Sequence, residues 1–241
     1  MDTAHFDQAA VTWDNNPSRL ALAGAIAAAV ADVVPLGPHW SAMEYGCGTA
    51  TLSFILAGNV GRIVAADVSQ GMLDQVRHKL AAAGVRNVTP CLLDLTRTPP
   101  PPETYDLILC AMALHHVDDA RHMLETFTAM LRPGGWVALA DLVTEDGSFH
   151  GAGAVPHNGF DPRELVGLLT GTGLADAAWN NVHELQRNGR SYPVFLLTAR
   201  RPDTCDLTAP VAKARTARQR ARPVDRASAG SRKQSTSRTS P

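Results

Sequence analysis

The sequence predicts a doubly wound α/β fold: a mostly parallel, seven-stranded sheet with an antiparallel hairpin at one edge. Three observations predict it. Short apolar runs without polar alternation recur between residues 41 and 142, the mark of strands buried on both faces. Stretches of helical spacing separate these runs, each closed by glycine or proline. Near the end, two further runs flank Asn188-Gly189, a strong short-range hairpin signal.

The elements follow in order. After a polar opening, Asn15-Asn16-Pro17 sets up a helix with an asparagine cap and proline at its first position, and an Ala-rich run continues it to about Val34. Pro35, Gly37 and Pro38 end it. Strands are expected at 41–45, 62–66, 88–92, 105–111 and 136–142. Helices are expected between them near 51–56, 70–83 and 119–131, closed by Gly58, Gly84 and Pro133-Gly134-Gly135. Strand and helix alternating in this way give a parallel sheet covered on both sides. Asp161-Pro162 opens one more helix, to about Thr170, and strands at 177–182 and 192–199 form the edge hairpin. The chain divides into an N-terminal lid segment (1–16), a single domain (17–200) and a basic tail (201–241). The tail is too poor in large apolar residues to offset ordering entropy and is read as disordered.

A chain of 241 residues, 45% hydrophobic, suits one sizeable core. Its net charge of −1 hides a split, because the tail carries ten Lys or Arg against three Asp. The remaining body is acidic, which argues against a nucleic-acid channel through the core. The tail is either a solvated extension or a weak contact for a polyanion. Cys47, Cys91, Cys110 and Cys205 show no CxxC spacing, which suits a reducing compartment, and a cytoplasmic protein is expected. The most apolar stretch, 20–34, is too short and too Ala-rich to span a bilayer, and residues 1–16 contain no leader-like apolar core.

Gly46 and Gly48 follow the first strand, where glycine lets the backbone turn sharply and approach a ligand. Asp67 stands at the end of the second strand, where an acid can accept from ribose hydroxyls. These two features also fit a dinucleotide-binding fold, although Thr51 stands where that fingerprint has its third glycine.

The run Glu44-Tyr45-Gly46-Cys47-Gly48-Thr49-Ala50 resembles the first motif of the class I S-adenosylmethionine (SAM)-dependent methyltransferases, in particular the small enzymes similar to ubiquinone/menaquinone C-methyltransferases. Four more motifs follow in order: Asp67 in Ala65-Ala66-Asp67-Val68-Ser69, Asp94 in Leu92-Leu93-Asp94-Leu95, the strand end Ala111-Met112-Ala113-Leu114-His115-His116, and Leu131-Arg132-Pro133-Gly134-Gly135. The resemblance implies a Rossmann-like methyltransferase fold with SAM as cofactor. It implies that Glu44 helps orient the amino-acid end of SAM, that Gly46 and Gly48 admit its sulfonium and ribose, that Cys47 is among the cofactor-binding residues, and that Asp67 binds the ribose. It further implies that Met72 lies near the adenine, that Asp94 accepts from its amino group, and that Val68, Leu95 and Ala111 are among the cofactor-binding residues. Ala50 departs from the pattern, which has glycine there.

Methyl transfer from a sulfonium needs alignment more than covalent help from the protein, with a base where the acceptor must lose a proton. His115 and His116, at the carboxyl edge, are the candidate catalytic bases; the other reading is a turn whose imidazoles bond the backbone. A loop of about twenty residues follows the fifth strand, and long loops there are usually binding loops or lids. His150, His157 and Asn158 in it, with Trp13 of the opening segment, are the candidate acceptor-binding residues. No compact ligand spacing supports a metal site. The expected function is methyl transfer to a small-molecule acceptor, because no nucleobase-type signature follows the fourth strand and little chain is left for a substrate domain. An NAD(P)-dependent oxidoreductase and a non-catalytic SAM-binding module are the alternatives.

Overall fold

A computed structural model describes residues 3–203 except 152 and 154; most of the basic tail, with Cys205, lies outside the described residues. A short helix α1 (Ala4–Ala9) runs into a 3-10 segment (Ala10–Asn15) and then α2 (Pro17–Val33). The rest alternates as β1 (Ser41–Tyr45), α3 (Thr51–Leu56), β2 (Arg62–Asp67), α4 (Gln70–Ala83), β3 (Val88–Leu92), β4 (Tyr105–Ala111), α5 (Ala120–Met130), β5 (Leu131–Leu142), α6 (Pro162–Gly171), β6 (Ala175–Arg187) and β7 (Arg190–Arg200).

The helix starts are set by local chemistry. Asn16 accepts from the Ser18 N–H at 3.0 Å with Pro17 at the first position, Ser69 caps α4 through the Met72 N–H at 3.2 Å, and Asp119 caps α5 through the His122 N–H at 2.9 Å. Each side-chain oxygen satisfies a donor the first helical turn leaves free.

The strands form one seven-stranded sheet, ordered β3-β2-β1-β4-β5-β7-β6. The first five are parallel; β7 runs antiparallel between β5 and β6. Strand order reverses between β1 and β4, and in such sheets the crevice beyond the carboxyl ends at that reversal is where ligands bind. All five residues of β1 are buried, which is why its sequence shows no alternation. Leu22, Ile26 and Val30 of α2, Leu52 and Leu56 of α3, and Leu73 and Val76 of α4 fill one face of the sheet. Met123, Leu124 and Phe127 of α5, with Leu165 and Leu169 of α6, fill the other.

The larger differences from the sequence reading have physical reasons. Strand β5 begins at Leu131, not 136, because Leu131 pairs with Tyr105 before a register shift and the Gly134-Gly135 backbone then bonds Arg201. Strand β6 spans 175–187, longer than expected, because two register irregularities break its alternation. Residues 4–9 are helical without a periodic signal, since α1 buries none of its side chains. No helix among the described residues is long and apolar enough to cross a membrane.

The β6–β7 turn places Asn188 at φ +51° and Gly189 at φ +74°, the two left-handed residues of a tight hairpin turn. Gly189→Ala is expected to cost about 1 kcal/mol in urea unfolding, and Asn188→Gly only a few tenths. Equal costs for the two would contradict this turn geometry.

Candidate active site

The carboxyl end of β1 opens into Gly46-Cys47-Gly48-Thr49-Ala50 before α3. A Cβ on Gly46 would stand 2.3 Å from the Ala113 methyl, so the β1 loop and the turn after β4 touch only because residue 46 has no side chain. The Gly48 N–H donates to Asp67 Oδ2 at 2.7 Å, and Asp67 Oδ1 accepts from the Ser69 N–H at 2.8 Å. Asp67 thus ties the ends of β1 and β2 together at the switch point. Burial raises its carboxyl above the usual value, against the lowering effect of these N–H donors. Ala50 sits at φ +58°, so the left-handed conformation of the resembled motif is kept without its glycine, at a strain of about 1 kcal/mol.

Below the loop, Glu44 is fully buried, and its Oε2 accepts from the Ser53 N–H at 3.0 Å and from the Ser53 hydroxyl. Burial pushes its carboxyl up to about 7, with the Ser53 bonds opposing and the Asp67 charge adding to the shift.

The second half of the site lies after β4. A 3-10 turn, Leu114–His116, carries both histidines. His115 is buried, and its Nδ1 lies 2.7 Å from Asp141 Oδ1 at the end of β5. Asp141 also accepts from the His115 N–H at 3.2 Å and the Leu142 N–H at 2.8 Å. A carboxylate receiving backbone donors can take only a proton donor from the ring, which assigns the proton to Nδ1 and the lone pair to Nε2. The His116 ring lies 4.1 Å from that of His115, and the His150 ring 4.9 Å from it. Burial, then its two histidine neighbours, lowers His116 to about 4; burial, then His115, lowers His150. At neutral pH both are uncharged.

A family model for a methyltransferase domain matches residues 42–135, the stretch from β1 to the turn inside β5. Over that stretch the chain is similar to methyltransferase domains. An uncharacterized methyltransferase of Schizosaccharomyces pombe is 28% identical over 153 residues, 57% of this chain and 54% of that protein. Demethylmenaquinone methyltransferase of Bacillus cereus is 30% identical over 108 residues, 44% of this chain and 46% of that protein. The chain therefore spans about half the length of the curated relatives it matches. Among solved structures, a SAM-dependent methyltransferase of Aquifex aeolicus superposes with a TM-score of 0.60 at 20% identity, covering 83% of this chain and 99% of that one. A DhpI complex with S-adenosylhomocysteine gives 0.64 at 23% identity, covering 83% and 95%. These structures share the fold.

In the structure, the residues named from the sequence fall into two groups. Glu44, Gly46, Cys47, Gly48, Asp67, Val68 and Met72 gather around the β1 loop, and Met72 Sδ lies 4.0 Å from where a Cβ on Gly48 would be. The buried Cys47 thiol is pushed well up by burial, which keeps it protonated and inert. Ala111 ends β4. Asp94 lies one strand further out, where it accepts from the Thr96 N–H at 3.0 Å, while the Leu95 N–H donates to the Tyr45 hydroxyl at 3.2 Å. His150 joins His115 and His116. His157 does not, because its Nε2 lies 3.0 Å from the Val117 carbonyl, and Asn158 packs against Gly147 instead. Among the described residues no cluster of three His, Cys, Asp or Glu is arranged to hold a metal ion.

The sequence reading missed the residues that fasten the N-terminal segment over this site. Asp7 accepts from the Ser69 hydroxyl at 2.5 Å and the Gly71 N–H at 2.8 Å at the start of α4. Asp14 accepts from the Thr49 hydroxyl at 2.6 Å and Lys79 at 3.0 Å, and Lys79 also reaches the Thr49 carbonyl at 2.8 Å. Trp13 Nε1 consequently lies 3.7 Å from the Cβ position of Gly48, and Phe6 lies against His116 at 5.2 Å. These bonds join residues far apart in the chain and leave no local pattern. Asp141 was legible in part, as an acid closing an otherwise apolar strand.

Glu44 sets a pH dependence. Its carboxyl is raised on folding, so the stability it allows is full below the unfolded value near 4.5 and is lost as pH rises through about 7. Glu44→Gln keeps the acceptor for Ser53 and removes the ionisation. Without added ligand, it is expected to match the parent near pH 5 and exceed it at pH 8 by on the order of 2–3 kcal/mol. A thermal-melt difference that ignores pH would refute the assignment.

Proposed function

We propose that this protein transfers the methyl group of SAM to a small-molecule acceptor, with His115 as the base and Asp141 as the residue that orients it. The contact between Gly46 and Ala113 carries the reading, since it sets the His115–Asp141 pair directly beside the loop of the methyltransferase domain that receives the methyl donor. SAM, when bound, supplies a methyl carbon on a positively charged sulfur, and an acceptor in line with that bond displaces it.

The residues present fit SAM. Gly48, with no side chain and no atom nearer than 3.7 Å to its Cβ position, would admit the close approach a cofactor needs, Asp67 would offer a carboxylate to the ribose, and Glu44 one to the ammonium of the amino-acid end. Met72 and Val68 would hold the adenine, and Asp94 and Leu95 would meet its amino group. His115 Nε2, with Nδ1 held by Asp141, accepts the acceptor's proton during attack. Neutral His116 and His150 add no positive charge that would repel the sulfonium. Trp13 and Phe6, fastened by Asp14 and Asp7, form a lid that excludes water from the reacting groups. Localisation in the cytoplasm belongs to the same proposal, on the ground of the unpaired cysteines.

A screen of small acceptors with methyl-labelled SAM tests the function. SAM is expected to raise the melting temperature, and Asp67→Ala to abolish that rise. Asp141→Asn and His115→Ala are expected to lower kcat by about 10²–10⁴ while leaving SAM binding in place. A protein stabilised by NAD and not by SAM would instead be an oxidoreductase; one that binds SAM and labels no acceptor would be a binding module.

The basic tail is proposed as a weak polyanion contact. The full chain is expected to be retained on heparin more strongly than a chain ended at Arg200, and equal retention would exclude the contact.

A further inference from the structure

An unbroken run of ring contacts leads away from His115 in both directions. On one side the His150 ring meets Phe149 at 5.0 Å, and the Arg187 guanidinium lies 5.3 Å from the Phe149 ring. On the other, His116 meets Phe6, Phe6 meets Trp13 at 6.1 Å, and the Arg19 guanidinium stacks 3.6 Å over Trp13. Both ends are therefore arginines, one from the first turn of α2 and one from the last residue of β6, and these two elements pack together. Burial lowers Arg19, with Arg187 adding to the effect and Asp14 opposing it.

Three carboxylates of the surrounding segments are bonded elsewhere. Asp14 is held by Lys79 and Thr49, Asp146 pairs with Arg190 at 2.9 Å, and Glu184 accepts from Ser191 at 2.7 Å. Glu145 faces His150, with its Oε2 accepting from the Phe149 N–H at 3.1 Å and its Oε1 buried without a hydrogen-bond partner. Among the described residues the Arg187 guanidinium has no ion-pair or hydrogen-bond partner. Two guanidinium groups on elements that pack together, Arg187 without such a partner and Arg19 donating to the Trp13 carbonyl at 3.0 Å, are complementary to an anion, and the fork of an arginine matches carboxylate or phosphate geometry. Flat rings between the arginines and the base suit a flat molecule, which they hold by stacking.

We propose that the acceptor is a flat hydroxylated molecule bearing an anionic group, its ring held among Phe6, Trp13 and Phe149, its anion taken by Arg187 and Arg19, and its hydroxyl directed at His115. This rests on the methyl-transfer function proposed above. In the step, the acceptor oxygen forms a bond to the methyl carbon as the carbon–sulfur bond breaks. The sulfur keeps the electron pair and leaves as the neutral thioether of S-adenosylhomocysteine, and the hydroxyl proton passes to His115 Nε2 and then to solvent.

The test is calorimetric binding to the full chain saturated with S-adenosylhomocysteine. The probes are 4-hydroxybenzoate, 4-hydroxyphenyl phosphate, neutral 4-hydroxybenzyl alcohol and cationic tyramine. At least one of the two anions is expected to bind about tenfold or more tightly than the alcohol, and their ranking tells carboxylate from phosphate. Arg187→Gln is expected to erase that preference, whereas Arg77→Gln, on a side chain paired with Asp74 at 2.6 Å on α4, leaves it intact. The proposal is overturned if the alcohol or tyramine binds as well as the anions, if Arg187→Gln keeps the preference, or if no probe binds. Failure of S-adenosylhomocysteine itself to bind overturns the methyl-transfer function, and this proposal with it.

Discussion

The contact between the β1 loop and the turn after β4 is the constraint on which the rest of the site depends. A Cβ at Gly46 would stand 2.3 Å from the Ala113 methyl, closer than real Cβ atoms approach one another, so only glycine lets the two segments meet at the reversal of strand order. Everything chemical is hung on that meeting. The glycine loop and Asp67 lie on one side of it, and His115 and Asp141 on the other. Separating the two strand ends would leave each half folded locally and the site divided.

Buried polar groups hold this arrangement in different ways. Asp141 receives two backbone N–H groups and the His115 ring, so its burial is compensated and the imidazole has one orientation. Glu44 is compensated by Ser53 alone, and its carboxyl is pushed to about 7. The two acids lie at the ends of neighbouring parts of one sheet, yet one is fully bonded and the other keeps an oxygen for a further partner. A raised carboxyl beside a glycine loop is a group held at a cost to stability, which is the usual condition of a binding residue.

The fold was largely legible because its signals are local. Unalternating apolar runs mark β1, β2, β4 and β5, and Asn16-Pro17, Ser69 and Asp119 mark helix starts through bonds spanning two or three residues. The misplaced boundaries of β5 and β6 lie where pairing with a distant strand continues through irregular backbone, a property of the partner and not of the segment. The loop residues divide similarly: His150 and His157 look alike in sequence, but one joins an imidazole cluster and the other binds the carbonyls of residues 117 and 118.

By itself, the sequence determined the order of strands and helices, the glycine loop with its acids Glu44 and Asp67, and the histidine pair after β4, because each is written in neighbouring residues. The tertiary structure alone decided that Asp141 bonds the His115 ring, that Asp7 and Asp14 fasten the N-terminal segment across the site, and that α2 with Arg19 packs on β6 with Arg187. Those partners lie 26 to 65 residues apart in the bonds concerned, and Arg19 and Arg187 further still. No period or spacing connects such residues; only the closing of the sheet and the packing of α2 on β6 brings them within reach.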